Sequence, residues 1–155
     1  MTSMILSKFG RALAQRSHFR CFSTTPSLLD RFYTKKHEYI NVNGKNGTVG
    51  VSDYAQKQLG DVVYVELPEK DAQVAKEDNA GAIESVKSAS DIYTPVSGRI
   101  TDVNGELEQK PQLINKSPYE QGWIFKIELT QPEELKDLMD EAAYTKFLET
   151  VDSEE

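Results

Sequence analysis

From Tyr39 to Leu129, Gly, Pro, Asn and Asp return at close intervals, and the apolar segments between them are short and rich in β-branched residues. A chain punctuated this way has to build its core from short strands. Val62-Val63-Tyr64-Val65-Glu66-Leu67, stopped by Pro68, is the strongest of them. Tyr39, Ile40 and Val42, the turn signal at 43–47 and the run 48–51 read as a hairpin. Ser52 or Asp53 caps a helix of one or two turns carrying Tyr54, Ala55 and Leu59, which Gly60 closes. Further strands are expected at 73–75, 82–86, 99–103 and 123–129. The expectation is a mainly β sandwich or barrel with Val62, Val63, Val65, Ile124 and Ile127 in its core.

Beyond Leu129 the period changes. Pro132 stands near a helix start, Glu133 and Glu134 favour a first turn, and Leu135, Leu138 and Met139 follow at helical spacing. A second helix carries Ala142, Ala143, Phe147 and Leu148. These short C-terminal helices are expected to pack on the sandwich, leaving residues 151–155 as a flexible acidic tail.

A length of 155 residues suits one globular domain, placed at 31–150. The apolar run 62–65 is far short of the roughly 20 residues a membrane span requires, so no membrane partner is expected. Charge is unevenly placed: Lys8, Arg11, Arg16 and Arg20 all precede the first acidic residue, Asp30, among Ser, Ala, Phe and Leu. That composition reads as an organelle transit peptide over residues 1–22, with Arg20-Cys21-Phe22-Ser23 resembling a mitochondrial processing site. Cleavage is placed after Phe22, with alternatives up to about residue 30, and the expected location is the mitochondrial matrix. Without the leader, 14 basic residues face 25 acidic ones, a net charge of −11. Such a surface repels DNA and RNA and steers basic protein surfaces toward itself.

Cys21 and His18 fall in the leader, leaving His37 as the single histidine of the mature chain and no cysteine. No thiolate nucleophile, disulfide or Cys/His metal site can form, so metal binding is not expected. His37 is read as a packing or hydrogen-bonding residue rather than a general base. Reactive atoms for any redox or group-transfer chemistry would have to come from something attached to the chain.

The attachment point is read from residues 81–98, in which Glu84-Ser85-Val86-Lys87-Ser88-Ala89-Ser90-Asp91 leads to Pro95-Val96-Ser97-Gly98. Two strand-like arms flank Lys87, and its neighbours are small, so Lys87 is expected to stand unobstructed at a hairpin tip. Pro95 and Gly98 are expected to bend the return strand, the glycine through positive φ. A lysine amine is a poor acyl acceptor while protonated, with a reference pKa near ~10.4, so an exposed rigid tip suits an enzyme that must grasp and present it.

This segment resembles the lipoyl-attachment hairpin of glycine cleavage H proteins. The resemblance extends from about Tyr33 to Phe147 through His37-Glu38, Asp53-Tyr54-Ala55-Gln56, Leu59-Gly60-Asp61-Val62-Val63, Val65-Glu66-Leu67-Pro68, Val103-Asn104, Ile114-Asn115, Pro118-Tyr119 and Gly122-Trp123. It implies a barrel-sandwich hybrid of the lipoyl/biotinyl type, with two quasi-symmetric sheets and short C-terminal helices. It implies one lipoate covalently bound at Lys87, Glu84 as a ligase-recognition residue, and Glu38 and Asp91 as groups that hold the amine of a loaded arm in a surface cleft. The chain would then carry intermediates without catalysing steps. Its implied partners are a lipoyl ligase or transferase, glycine decarboxylase (P protein), a folate-dependent aminomethyltransferase (T protein) and dihydrolipoamide dehydrogenase (L protein). Biotinyl sites typically have Met on both sides of the lysine, where Val86 and Ser88 stand here, and 2-oxo acid dehydrogenase lipoyl sites usually have Asp before it. A further alternative is a scaffold of the same fold whose Lys87 is never modified. The chain departs from the resemblance at Tyr39, where the family often has Trp, and at Asp71 and Glu77, near which it has glycines. These read as turn and surface variations.

Overall fold

Gly44 and Lys45 alone separate the two strands of the first hairpin, with Asn43 paired to Asn46 across them. Gly44 takes the first central position with φ +62°, the choice that matches the twist of flanking strands in a tight hairpin. The structure is a computed structural model that describes residues 30–153. The leader at 1–22 and the last two residues of the acidic tail lie outside the described residues.

The strands are β1 (Asp30–Tyr33), β2 (Glu38–Asn43), β3 (Asn46–Val51), β4 (Val62–Glu66), β5 (Gln73–Val74), β6 (Asn79–Ser85), β7 (Ala89–Tyr93), β8 (Gly98–Val103) and β9 (Phe125–Leu129). The helices are α1 (Asp53–Leu59), α2 (Glu106–Gln109), α3 (Leu113–Lys116) and α4 (Glu141–Asp152), with a 3₁₀ helix at Pro132–Asp137. One antiparallel sheet runs β1-β2-β3-β9-β8-β5 and the other β4-β6-β7. Ile40, Val49, Val65, Ile83, Ile92, Ile100, Ile124 and Ile127 fill the main core. The expected mainly β sandwich with C-terminal helices is what forms. Its sheets are unequal, six strands against three, and β1, absent from the sequence reading, extends the larger one beyond β2. Among the described residues no helix is long and apolar enough to cross a membrane.

Several expectations change for local reasons. Val63 is solvent-exposed, not core. A register irregularity between Val62 and Tyr64 interrupts the alternation, so Val63 and Tyr64 both face water while Val62 and Val65 point inward. Gly98 has no positive φ; a side chain there would collide with the carbonyl oxygen of Glu128 on β9. The strand expected from Trp123 begins at Phe125, because Asn104 Nδ2 takes the Trp123 carbonyl at 2.7 Å. Leu138 and Met139 follow the 3₁₀ helix in extended form, and Met139 exchanges backbone hydrogen bonds with Tyr33. On α4 it is Tyr144, Phe147 and Leu148 that pack inward, while Ala142 and Ala143 are exposed. Helix α4 continues through Asp152, into the stretch expected to be a flexible tail.

Asp71 and Glu77 have φ of +67° and +68°. The backbone adopts the left-handed region at both departures from the resemblance, held there by Asp71 N to Ile100 O (2.8 Å) and Glu77 N to Thr94 O (2.9 Å). Asp tolerates this region better than Glu. Glu77→Gly is therefore expected to stabilise the fold by about 1 kcal/mol, net of the entropy glycine adds to the unfolded chain. Chemical denaturation checks this, and unchanged or lower stability would count against strain at that turn.

Candidate attachment and docking site

Ser85 and Ser88 close the β6–β7 hairpin around Val86 and Lys87. The Ser85 hydroxyl donates to Ser88 O (3.0 Å) and accepts from the backbone N–H groups of Lys87 (3.2 Å) and Ser88 (3.1 Å), while Ser85 N donates to Ser88 O at 2.8 Å. Small residues at 85 and 88 therefore tie the tip as well as clear space around it. Val86 N donates to Asp61 O at 3.0 Å, bracing the tip against the α1–β4 corner.

Lys87 is exposed at this tip, as expected. Its side chain nevertheless leans on the corner: a Cβ added at Gly60 would meet Lys87 Cε at 3.3 Å and Cδ at 3.5 Å. Gly60 closes α1 with φ +76°, a conformation that favours glycine, and the missing side chain leaves the lysine stem room to lie close. Ser52 caps the start of α1 by accepting from Ala55 N at 3.1 Å.

Asn115 holds the corner in place and was quoted in the sequence only as part of a motif. Its Oδ1 accepts from Val62 N at 2.9 Å, and its Nδ2 donates to Gly60 O at 2.8 Å and to Gln56 Oε1 at 3.1 Å. Other motif residues prove similarly structural: Tyr39 donates its phenol to Pro118 O at 2.6 Å, and Asp53 N donates to the Tyr119 hydroxyl at 3.0 Å.

A groove of about 280 Å³ begins beside the hairpin at Ser88, Ala89 and Ser90 and is lined further on by Leu59, Ile83, Lys36, Glu38 and Asp91. The two carboxylates singled out in sequence thus face one groove in different settings. Glu38 is buried, accepting from Tyr93 N at 3.1 Å and from the Thr34 hydroxyl, and burial raises its pKa. Asp91 is exposed and accepts from the Tyr93 hydroxyl at 3.3 Å. Lys36 places its ammonium 3.5 Å from the Tyr93 ring centroid, at the same groove. Glu84 is exposed on β6, paired with Tyr64 on one side and Ala89 on the other.

His37, with φ +73°, also lines this groove. Its Nδ1 meets the Tyr144 hydroxyl at 2.8 Å, which also meets Ser52 Oγ at 2.8 Å, and burial lowers the His37 pKa. Tyr54, Tyr144 and Phe147 surround the ring, so His37 helps dock α4. The sequence offered no signal for this, since the partners come from α1 and α4.

Residues 31–151 match the family model described as Glycine cleavage H-protein. A glycine cleavage system H protein from Xanthobacter autotrophicus is 52% identical, over 77% of this chain and 95% of that protein. A mitochondrial one from Drosophila melanogaster is 49% identical, over 94% of this chain and 96% of that protein. The crystal structure of a glycine cleavage system H protein from Mycobacterium marinum superimposes with a TM-score of 0.69 at 33% identity, over 76% of this chain and 95% of that one. With its sandwich, its braced lysine hairpin and this likeness across most of its length, the chain belongs to the glycine cleavage H-protein family.

Proposed function

We propose that this protein is the lipoyl carrier of a glycine cleavage system, with lipoate in amide linkage to Lys87. It moves an aminomethyl group from glycine decarboxylase (P protein) to the folate-dependent aminomethyltransferase (T protein), and dihydrolipoamide dehydrogenase (L protein) restores its oxidised form. The observation that carries the reading is Lys87 itself: an exposed lysine on a braced tip, its stem on Gly60, beside a groove with carboxylates. A lipoyl group supplies a disulfide–dithiol couple that this polypeptide, without mature cysteines, does not have.

The chain's own residues do the positioning. The Ser85 hydrogen bonds keep the tip fixed, so a flexible arm swings from a constant origin and partner encounters become a local search. Asp91 offers an exposed carboxylate to a protonated amine entering the groove. Glu38 forms the buried wall behind it and fixes the Tyr93 backbone. Leu59 and Ile83 supply apolar lining that limits water around the bound cargo. Glu84, exposed three residues before Lys87, is a recognition point for the lipoyl ligase or transferase. The Arg-rich leader at 1–22 directs the chain to the mitochondrial matrix and is removed there; the mitochondrial relative from Drosophila melanogaster supports this location.

Intact-mass measurement of the organelle-purified protein tests the attachment, and reconstitution with glycine, folate and the three partner enzymes tests the role. A bare amine at Lys87 while glycine is being broken down would sink the proposal. Asp91→Asn is expected to leave lipoylation unchanged and shorten the lifetime of the loaded carrier by about threefold to tenfold, the scale of one partly exposed charge-assisted hydrogen bond. A lifetime equal to wild type would remove Asp91 from the docking role.

A further inference from the structure

The exposed large hydrophobics among the described residues are Val63 (52% exposed), Tyr64 (52%) and Val86 (68%). All three stand at the Lys87 end of the smaller sheet. Val62 pairs with Ser85 and Tyr64 with Glu84, while Val86 N reaches Asp61 O at 3.0 Å. The irregularity between Val62 and Tyr64 turns both Val63 and Tyr64 outward, where regular alternation would bury one of them. Exposed acids rim the patch at Asp61, Glu66 and Glu84.

Lys87 indicates what covers this patch. Its stem lies against Gly60 at the α1–β4 corner, and the next residue in the chain, Asp61, accepts from Val86 N at 3.0 Å, so the stem borders the segment that carries the patch. An enzyme that acylates the bare amine has only the length of one lysine side chain with which to reach it. It must therefore seat itself on the surface bordering the stem. Enzymes that act on the far end of an extended arm are under no such constraint.

We propose that Val63, Tyr64 and Val86 form the docking patch for the enzyme that acylates Lys87, which would meet them with an apolar lip and a basic rim. The proposal rests on the reading of Lys87 as the lipoyl site. In the acylation step, Lys87 Nζ attacks the carbonyl carbon of a lipoyl adenylate. The C–N bond forms, the bond from acyl carbon to phosphate oxygen breaks, AMP departs, and the ammonium gives up two protons to base or solvent. No electrons change hands, and the patch only holds the two proteins together.

The test uses the purified mature protein with a lipoate–protein ligase, lipoate and ATP. Val63→Thr combined with Tyr64→Thr keeps strand-compatible residues while removing apolar surface. It is expected to raise the KM for this protein about tenfold with kcat within twofold. Val86→Ser lies in the tip outside both strands, so it spares the ladder, and is expected to raise KM about threefold. Once exhaustively lipoylated, both variants are expected to turn over glycine in reconstitution as wild type does. Wild-type KM in both variants overturns the proposal. So does a fall in glycine turnover without a change in KM. If the wild-type chain itself accepts no lipoate, the underlying reading of Lys87 has failed instead.

Discussion

Lys87→Arg is expected to abolish lipoylation completely and bring reconstituted glycine turnover to background. Arginine preserves the positive charge and most of the stem, so the tip loses no packing of consequence. Its guanidinium keeps its proton throughout the usable pH range and is not an acyl acceptor for a ligase that requires a free amine. Since Lys87 is exposed and the tip is held by Ser85 hydrogen bonds, folding stability should stay within about 0.5 kcal/mol of wild type. Mass spectrometry, thermal unfolding and turnover should therefore separate: no added lipoyl mass, an unchanged melting curve and no flux. Retained turnover by the arginine variant would favour an unmodified scaffold of the same fold.

Asn115→Ala is expected to destabilise the domain by about 3 kcal/mol, more than other single polar truncations at the site. One side chain here serves Val62 N, Gly60 O and Gln56 Oε1. Truncation strands the Val62 N–H where that residue is 1% exposed, and leaves the Gly60 carbonyl and the Gln56 side chain to find other partners. An abandoned buried donor costs roughly 1–3 kcal/mol, and the other two lost bonds about 1 kcal/mol together or somewhat more. For a domain of this size that is a fall in Tm of about 10 °C. Loosening should spread to the tip, because Val86 N is bonded to Asp61 O, beside Gly60. Faster hydrogen exchange at the amides of Val62 and Val86 would register it. A loss of stability below about 1 kcal/mol would mean that the corner is held by packing instead.

The two predictions differ in how visible their residues are in the sequence. Lys87 is marked by contiguous neighbours, since Ser85 binds the backbone of Lys87 and Ser88 through contacts two or three residues apart. Asn115 acts across 53 residues on Val62 and 55 on Gly60, so nothing beside it in the chain reveals its role. The same contrast holds for His37. Its isolation showed that it had no histidine partner, while its setting depends on Tyr144, 107 residues away. Glu38 and Asp91 were read together from the family resemblance alone; their placement in one groove depends on β2 lying near the end of β7, where Glu38 accepts from Tyr93 N.

Local patterns were enough to determine most of the strands, though not β1, where α1 begins and ends, which residues turn the first hairpin, and which lysine stands at a tip. Those features depend on backbone preferences and on hydrogen bonds between near neighbours, which are written in consecutive residues. Only the tertiary structure decided that Val63 faces water, that Gly98 answers to Glu128 of β9, that Asp71 and Glu77 are held at positive φ, and that the Lys87 stem rests on Gly60. Each of these is a contact or a register between segments far apart in the chain. Their energy depends on which strand comes alongside which, and that is settled only when the whole core packs.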